Sequence, residues 1–335
     1  MRIKKQLHSK CWGLSIIKMS FIRPFELFDE QCAQSGRIAL CVEYEGSQFH
    51  GWQTQAAGIP SVQPLLEEAL SRLAGEPLTV MCAGRTDAGV HASGMVVHFD
   101  TTKALPERAW TLGVNSKLPP QLRVRWARAV TNDFHARHSA LGRRYRYVIY
   151  NHRTRPCTLH NQVTWWNQPL DAEKMHAAAQ KLLGERDFSA FRSVRCQSRI
   201  AWRHLHFLKV LRRGDFIILD VQANAFLHHM VRNLAGTLIK IGAGEKPAEW
   251  LDELMAKKLR AQAGMTAPAA GLYFIAALYP EKFNLPYERL GPNFLSLLAD
   301  ENLDAPYPAF LPAWYRSDLT RSQPRDALTY DETAS

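Results

Sequence analysis

The sequence has few cysteines, no long apolar run and no surplus of acidic residues. Its six cysteines stand at positions 11, 32, 41, 82, 157 and 196, and no two of them have Cys-x-x-Cys spacing. This spacing argues against a zinc knuckle or a redox dithiol, and six cysteines are too few for a disulfide scaffold in 335 residues. No apolar run reaches the length of a membrane-spanning helix. We therefore expect a protein of the reducing cytoplasm.

The charge of the chain indicates an anionic partner. The sequence holds 42 Lys and Arg against 31 Asp and Glu, a formal net charge of +11 with a pI near 9.5. Nucleic acid is the commonest partner of so basic a chain, although charge alone fits any soluble protein with a basic surface. With 46% hydrophobic residues, 335 residues can form one large domain or two ordinary ones.

One loop carries a single acidic side chain between glycines. Residues 82–92 read Cys-Ala-Gly-Arg-Thr-Asp-Ala-Gly-Val-His-Ala and follow an apolar run at 78–82 that predicts a strand, as does the run at 95–99. The flanking glycines leave room for a ligand to approach the carboxylate of Asp87 closely. The loop therefore suits a reactive carboxylate, and the alternative is a tight turn in which Asp87 accepts backbone hydrogen bonds.

Hydrophobic periodicity predicts an α+β fold with a repeated order of elements. In the first half we expect strands at 37–44, 78–82, 95–99 and 122–130 and helices at 61–74 and 105–113. In the second half we expect strands at 145–150, 162–166, 203–211, 215–222 and 272–278 and helices at 171–183, 227–241 and 248–259. The order β-α-β-β-α-β is typical of ferredoxin-like folds. Two such half-units, residues 37–137 and 138–281, predict two mixed, largely antiparallel sheets around a central cleft.

The two ends of the chain differ from the rest. Residues 1–36 form an N-terminal extension that begins with a basic segment and the short apolar run 11–17, which makes a poor signal peptide. A mitochondrial-type presequence and a start of translation at Met19 both remain open. Residues 282–335 become rich in proline and polar residues, so we expect an irregular C-terminal tail.

Several uncommon strings occur in the order seen in one enzyme family. They are residues 44–47, 51–53, 84–92, 133–137, 144–147, 224–233 and 271–273. From about residue 37 to 285, the sequence resembles the TruA family of tRNA pseudouridine synthases. The resemblance implies the pseudouridine synthase fold and an enzyme that isomerises uridine to pseudouridine at positions 38, 39 and 40 of the tRNA anticodon stem-loop. It also implies a homodimer that needs no cofactor. Glu45 departs from the family pattern, in which Asp is more usual.

The resemblance also assigns functional residues. It makes Asp87 the catalytic carboxylate, and Tyr145 the residue that packs on the flipped target base and serves in proton transfer. The expected substrate-binding residues are Gly84, Arg85, Thr86, His91 and Tyr145. Without the resemblance, Tyr145 is most simply an interior aromatic residue of a strand.

A cation beside a buried carboxylate keeps it charged, and Arg232 is the candidate for this role. It lies on the polar side of the predicted helix 227–241, where the alternative is an ordinary solvated arginine. His228 and His229 do not predict a metal site, because adjacent helix positions point in different directions. Basic residues interleaved with aromatic ones at 143–150 and 192–202 match contacts to an RNA backbone and bases.

Two other functions remain open from the sequence. One is a non-catalytic tRNA-binding or tRNA-folding protein that uses the same cleft. The other is a hydrolase with an aspartate nucleophile that acts on a small anionic substrate. The basic surplus and the lack of a phosphate-cradling glycine motif disfavour the hydrolase.

Overall fold

The computed structural model describes residues 32–56, 58–286 and 291–298. Most of the predicted N-terminal extension, residues 1–31, and the tail from residue 299 onward lie outside the described residues. The strands are β1 (Gly36–Tyr44), β2 (Met81–Cys82), β3 (His91–Thr101), β4 (Leu122–Val130), β5 (Gly142–Asn151), β6 (Thr164–Trp166), β7 (Gly184–Asp187), β8 (Trp202–Arg213), β9 (Phe216–Ala223) and β10 (Leu272–Leu278). The α-helices are α1 (Val62–Ala74), α2 (Ala172–Gln180), α3 (Met230–Gly242) and α4 (Trp250–Lys257). This is the mixed α+β class that the sequence predicts.

The ten strands form one continuous sheet in the order β4-β1-β3-β10-β5-β9-β8-β7, with β2 beside β3 and β6 beside β5. Most pairs are antiparallel, and β10 joins the two halves because it pairs with β5 antiparallel and with β3 in parallel. The prediction of two separate sheets is therefore wrong. The parallel contact involves residues far apart in the chain, Tyr273 with His91 and Phe274 with Ala92, and such pairing has no local sequence signal.

Several predicted elements are confirmed almost to the residue. Strands β4 and β10 have the predicted bounds. Helix α1 begins after Ser61 and ends at Gly75, whose left-handed φ of 69° is the usual glycine stop signal. Ser61 occupies the N-cap position, but its side chain makes no capping hydrogen bond. In α2 the cap is complete, because the carboxylate of Asp171 accepts a hydrogen bond from the backbone N–H of Lys174.

Other boundaries differ from the prediction. The segment 105–113 contains a π-helix at Ala109–Gly113, and the strand expected at 78–82 is reduced to β2. Strand β7, which pairs with β8, was not predicted and begins at Gly184, directly after the predicted helix 171–183. Helix α3 begins at Met230 rather than at residue 227, because His229 before it has a left-handed backbone.

Three clusters of buried side chains hold these elements together. The first packs α1 on the first half of the sheet, and the second packs α2, α3 and α4 on the second half. The third lies on the opposite face, where Leu295 packs against β5, β9 and β10. Phe283 is buried in the first cluster, so the start of the predicted C-terminal tail packs on the sheet at this residue. None of the helices in the described residues has the length and apolarity needed to cross a lipid bilayer.

Candidate active site

Asp87 lies in the loop between β2 and β3, and backbone contacts hold that loop. The N–H of Trp52 donates to the carbonyl of Thr86, and the N–H of Val90 donates to the carbonyl of Asp87, each at 3.1 Å. A side chain at Gly51 would clash with the loop, since its Cβ would lie 2.6 Å from the Thr86 carbonyl oxygen. The 51–53 segment is therefore a close-packed support for the loop.

The carboxylate of Asp87 faces three basic side chains from the second half of the chain. Nε2 of His228 lies 3.2 Å from Oδ1, and Nε2 of His229 lies 3.3 Å from Oδ2. Nη1 of Arg232 lies 3.9 Å from Oδ2. The side chain of Asp87 is 32% exposed, so the carboxylate is recessed but open to a ligand. The structure thus brings Asp87 and Arg232 together across the sheet.

The two histidines reach Asp87 because neither belongs to α3. His229 has a left-handed backbone with φ of 62°, which costs a non-glycine residue about 1–2 kcal/mol. This turn stacks the two imidazole rings 3.9 Å apart, both beside the carboxylate. The expectation that they diverge along a helix is therefore wrong. A left-handed histidine leaves no mark in the sequence, so the pattern could not reveal their convergence.

Burial lowers the pKa of His229, and the neighbouring charge of Asp87 acts in the opposite direction. The three ligand atoms of Asp87, His228 and His229 lie within 4.8 Å of one another, which makes them a group able to hold a metal ion. That the reaction needs no metal stays a prediction.

Arg232 is held by the backbone of the same half. It lies near the start of α3, its side chain is 16% exposed, and its Nε donates to the carbonyl of Ala267 at 2.7 Å. This hydrogen bond fixes the guanidinium beside the cleft. Arg232 is thus no ordinary solvated arginine.

Tyr145 lies on β5 next to the Asp87 loop and lines the same cleft. Phe226 and Phe274 pack edge-to-face on its ring, at centroid distances of 5.0 and 5.1 Å. A Cβ added at Gly84 would lie 3.8 Å from the Tyr145 hydroxyl, an ordinary van der Waals distance, so the loop passes close to this side chain. Burial raises the pKa of Tyr145 well above its ordinary value, and the phenol therefore stays protonated.

The residues on either side of Tyr145 face the other side of the sheet. Arg144 donates two hydrogen bonds of 2.7 Å to Asp220 on β9, and Arg146 donates one of 2.9 Å to the same carboxylate. Burial acts to raise the pKa of Asp220, but the two guanidinium groups overcome it and lower the pKa to about 2. The prediction that the basic segment 143–150 contacts RNA is wrong for these two arginines, which are 1% exposed. Strand alternation places both on the buried face, and Asp220 gave no signal of its own.

The remaining predicted binding residues occupy different environments. Arg85 is exposed and lines the cleft with Asp87. Thr86 also lines it, but it is 8% exposed and its hydroxyl bonds to the hydroxyl of Tyr44 at 2.9 Å. His91 is 1% exposed, accepts a hydrogen bond from the N–H of Gly46, and stacks on Tyr273. It does not belong to the residues that line the cleft, and burial lowers its pKa.

Apolar side chains line the cleft beside the polar cluster. Val90, Phe226, Leu227, Met230, Val231 and Leu272 line it with the residues described above. Sequence reasoning missed the part played by Phe226 and Leu272, although both lie next to or within family strings. The arrangement offers a carboxylate, a fixed positive charge and flat apolar walls to one planar ligand.

Comparisons with known proteins agree with this arrangement. The sequence profile described as tRNA pseudouridine synthase matches residues 40–139 and 178–280. Proteins named tRNA pseudouridine synthase A from Escherichia fergusonii, Shigella boydii serotype 4 and Escherichia coli O1:K1 are each 54% identical over 268 residues. Each alignment covers 80% of this chain and 99% of the relative. On this similarity, which includes the Asp87 loop and the strands and helix around it, the chain belongs to the TruA family of tRNA pseudouridine synthases.

Proposed function

We propose that this chain isomerises uridine to pseudouridine at positions 38, 39 and 40 of the tRNA anticodon stem-loop. The observation that carries the proposal is the position of Asp87, a recessed carboxylate in an open cleft beside Arg232 and Tyr145. The similarity to proteins named tRNA pseudouridine synthase A, along 99% of their length, supports it.

The reaction breaks the bond between N1 of uracil and C1′ of the ribose and forms a new bond between C5 and C1′. The proton on C5 then leaves and N1 ends with a proton of its own, so the product is an isomer of the substrate. This chemistry needs a nucleophile or base next to the sugar and the base, and the carboxylate of Asp87 is that group. Arg232 supplies a fixed positive charge beside that carboxylate.

A base within a stem reaches such a carboxylate only after it leaves the stack. The ring of Tyr145, positioned by Phe226 and Phe274, offers a flat surface on which uracil packs. Because its phenol is protonated before the reaction begins, Tyr145 acts in this proposal as a hydrogen-bond donor and not as a base. Arg85, exposed at the mouth of the cleft, is placed to hold a phosphate or to fill the gap that the base leaves.

The RNA-binding face extends beyond the cleft in this proposal. Arg195 and Arg199 are exposed in the segment 192–202, and Trp202 is 52% exposed. Exposed basic and aromatic side chains together match backbone contacts combined with base stacking. The proposal includes a cytoplasmic homodimer whose half-units, residues 37–137 and 138–281, face the RNA together. Sedimentation of the purified protein at several concentrations tests the dimer.

The release of tritium from tRNA labelled at C5 of uridine tests the function directly, because C5 loses its hydrogen only when the new bond forms. We expect release by the wild-type protein without an added cofactor, and none by Asp87→Asn. Asp252→Asn, which changes an exposed carboxylate paired with Lys181, is the matched control and should keep full activity. Tight tRNA binding without tritium release would instead favour a tRNA-binding or tRNA-folding protein.

A further inference from the structure

We propose that Asp87, His228 and His229 together form a zinc site, and that zinc bound there inhibits the enzyme. The binding part stands on the geometry of these three residues alone. The inhibition part rests on the proposed function, because it assumes that catalysis uses Asp87.

The distances within the cluster fit a zinc ion. Zinc bound to imidazole nitrogen and carboxylate oxygen at about 2.0–2.1 Å has ligand atoms about 3.3 Å apart in a tetrahedral arrangement. Nε2 of His228 and Nε2 of His229 lie 3.2 and 3.3 Å from the Asp87 carboxylate oxygens. Each imidazole nitrogen therefore lies at the spacing of a tetrahedral edge from one carboxylate oxygen, and one ligand atom from each of the three residues lies within 4.8 Å of the others. Rotations of the side chains would direct all three at one ion.

The donor set also fits zinc. Two imidazoles and one carboxylate form a three-ligand zinc site that leaves one coordination position open to water or an incoming group. Among the described residues, this is the one group of three or more histidine, cysteine, aspartate or glutamate side chains with suitably close ligand atoms. His204 and His206 also lie close together, with ring centroids 5.3 Å apart on β8. They belong to no such group of three ligand atoms among the described residues.

The local backbone brings the two imidazoles to the same carboxylate. If His229 continued α3, its side chain would diverge from that of His228. Its left-handed φ of 62° instead places both rings on Asp87, and the pair is 32% and 27% exposed. An ion can therefore reach the cluster from the cleft without unfolding.

A positive charge beside the cluster limits the affinity. Nη1 of Arg232 lies 3.9 Å from Oδ2 of Asp87 and repels a divalent cation. We therefore expect reversible binding in the micromolar range rather than the tight binding of a structural zinc site. Zinc on Asp87 would occupy the carboxylate and the space beside it, so inhibition should decrease as the tRNA concentration increases.

Isothermal titration of the metal-free, full-length protein with zinc alone tests the site. We expect one equivalent of zinc to bind to the wild-type protein. The affinity of His229→Gln for zinc should be lower by about tenfold or more. Asp87→Asn preserves the shape of the side chain and should lose the site as well. His204→Gln changes a histidine that stands beside His206 but belongs to no group of three close ligand atoms, so it is the matched control and should bind zinc like the wild-type protein. Unchanged affinity in both His229→Gln and Asp87→Asn would overturn the proposal.

A nearby thiol requires a control of its own. Sγ of Cys196 lies 3.4 Å from the backbone nitrogen of His228, next to the cluster but outside the group of ligand atoms. Cys196→Ser should therefore bind zinc with unchanged affinity. Loss of the wild-type site in this variant would assign the zinc to the thiol and overturn the proposal.

The inhibition is measured as tritium release with increasing zinc, followed by removal of the ion with a chelator. We expect full loss of activity near the dissociation constant from titration, and full recovery with the chelator. Tritium release at the zinc-free rate by an enzyme with zinc bound would contradict the inhibition. A protein that never releases tritium, with or without zinc, would contradict the proposed function and leave the binding result to decide the site.

Discussion

Arg232 lies beside Asp87 without making a two-pronged hydrogen bond to it. Its Nη1 is 3.9 Å from Oδ2, while its Nε donates to the carbonyl of Ala267 at 2.7 Å. The guanidinium is thus anchored to the backbone and acts on the carboxylate through its charge.

Arg232→Leu removes this charge, and we expect the rate of the chemical step to fall about ten- to hundredfold, or about 1.4 to 2.8 kcal/mol. tRNA affinity should change much less. Arg232→Lys should restore part of the rate, because it keeps a charge but lacks the planar group that also bonds Ala267. Single-turnover measurements separate the chemical step from binding.

The control is Arg72→Leu, which removes an exposed arginine from α1. It should react at the wild-type rate. If Arg232→Leu also reacts at that rate, Arg232 has no role in catalysis.

Asp220 is the common acceptor of two buried arginines behind Tyr145. Asp220→Asn leaves two guanidinium groups without their counter-charge, and we expect a loss of about 3–5 kcal/mol in the free energy of unfolding. Urea unfolding at neutral pH measures this. Asp215→Asn, in the turn before the same strand, should cost under about 1 kcal/mol.

The acid dependence of this effect has a definite sign. The folded-state pKa of Asp220 is about 2, below the ordinary value of 3.8. The stabilisation is therefore complete above about pH 4 and is lost as the pH falls toward 2. A difference between wild type and Asp220→Asn that stays constant across this range would contradict the ion-pair account.

His98 predicts a second pH effect. Burial lowers its pKa from 6.5 to about 4, and its Nδ1 accepts a hydrogen bond from the N–H of Ala136. Below pH 6.5 the unfolded chain takes up a proton that the folded chain refuses, so stability should fall as the pH drops from 6.5 to about 4. The fall is at most about 1.4 kcal/mol per pH unit.

In His98→Gln the part of this slope that belongs to His98 should vanish. Urea unfolding of both proteins at intervals between pH 7 and 4 gives the comparison. Identical slopes would show that other groups cause the acid sensitivity.

Binding to tRNA should weaken steeply with salt, because contacts between basic side chains and phosphates release counterions. We expect a clearly negative slope of log affinity against log salt concentration. Arg199→Gln, which removes one exposed charge, should make that slope less negative by about one unit, the effect of losing one phosphate contact. A flat plot for the wild-type protein would contradict the electrostatic part of the proposed interface.

Local sequence patterns predicted the helices and strands, but they did not predict the contacts between residues far apart in the chain. The continuous apolar run from Leu272 to Leu278 indicates a strand, but nothing within it identifies β3 as its partner. Gly75 marks the end of α1 because glycine tolerates the left-handed conformation there. His229 adopts the same conformation, which only a few per cent of non-glycine residues do, so the sequence did not indicate the convergence on Asp87.

Family resemblance supplied what periodicity could not for the site. Asp87, Tyr145 and Arg232 come together in the structure, as the sequence analysis expected them to, yet their roles stay predictions until the variants are measured. Asp220 escaped attention because a single acidic residue in a strand looks like a solvated one. Its importance depends on two arginines, more than seventy residues away in the chain, that face it across the sheet.

The pairing of β10 with β3 has a consequence for the timing of synthesis. The edge of β3 at His91 has no parallel neighbour until Tyr273 has left the ribosome. At about 5–20 residues per second, that interval is roughly 10 to 40 seconds. Arg232 is made before β10, but the strand that fixes the two halves side by side comes later. A nascent chain therefore contains the Asp87 loop before β10 can join the two halves of the sheet.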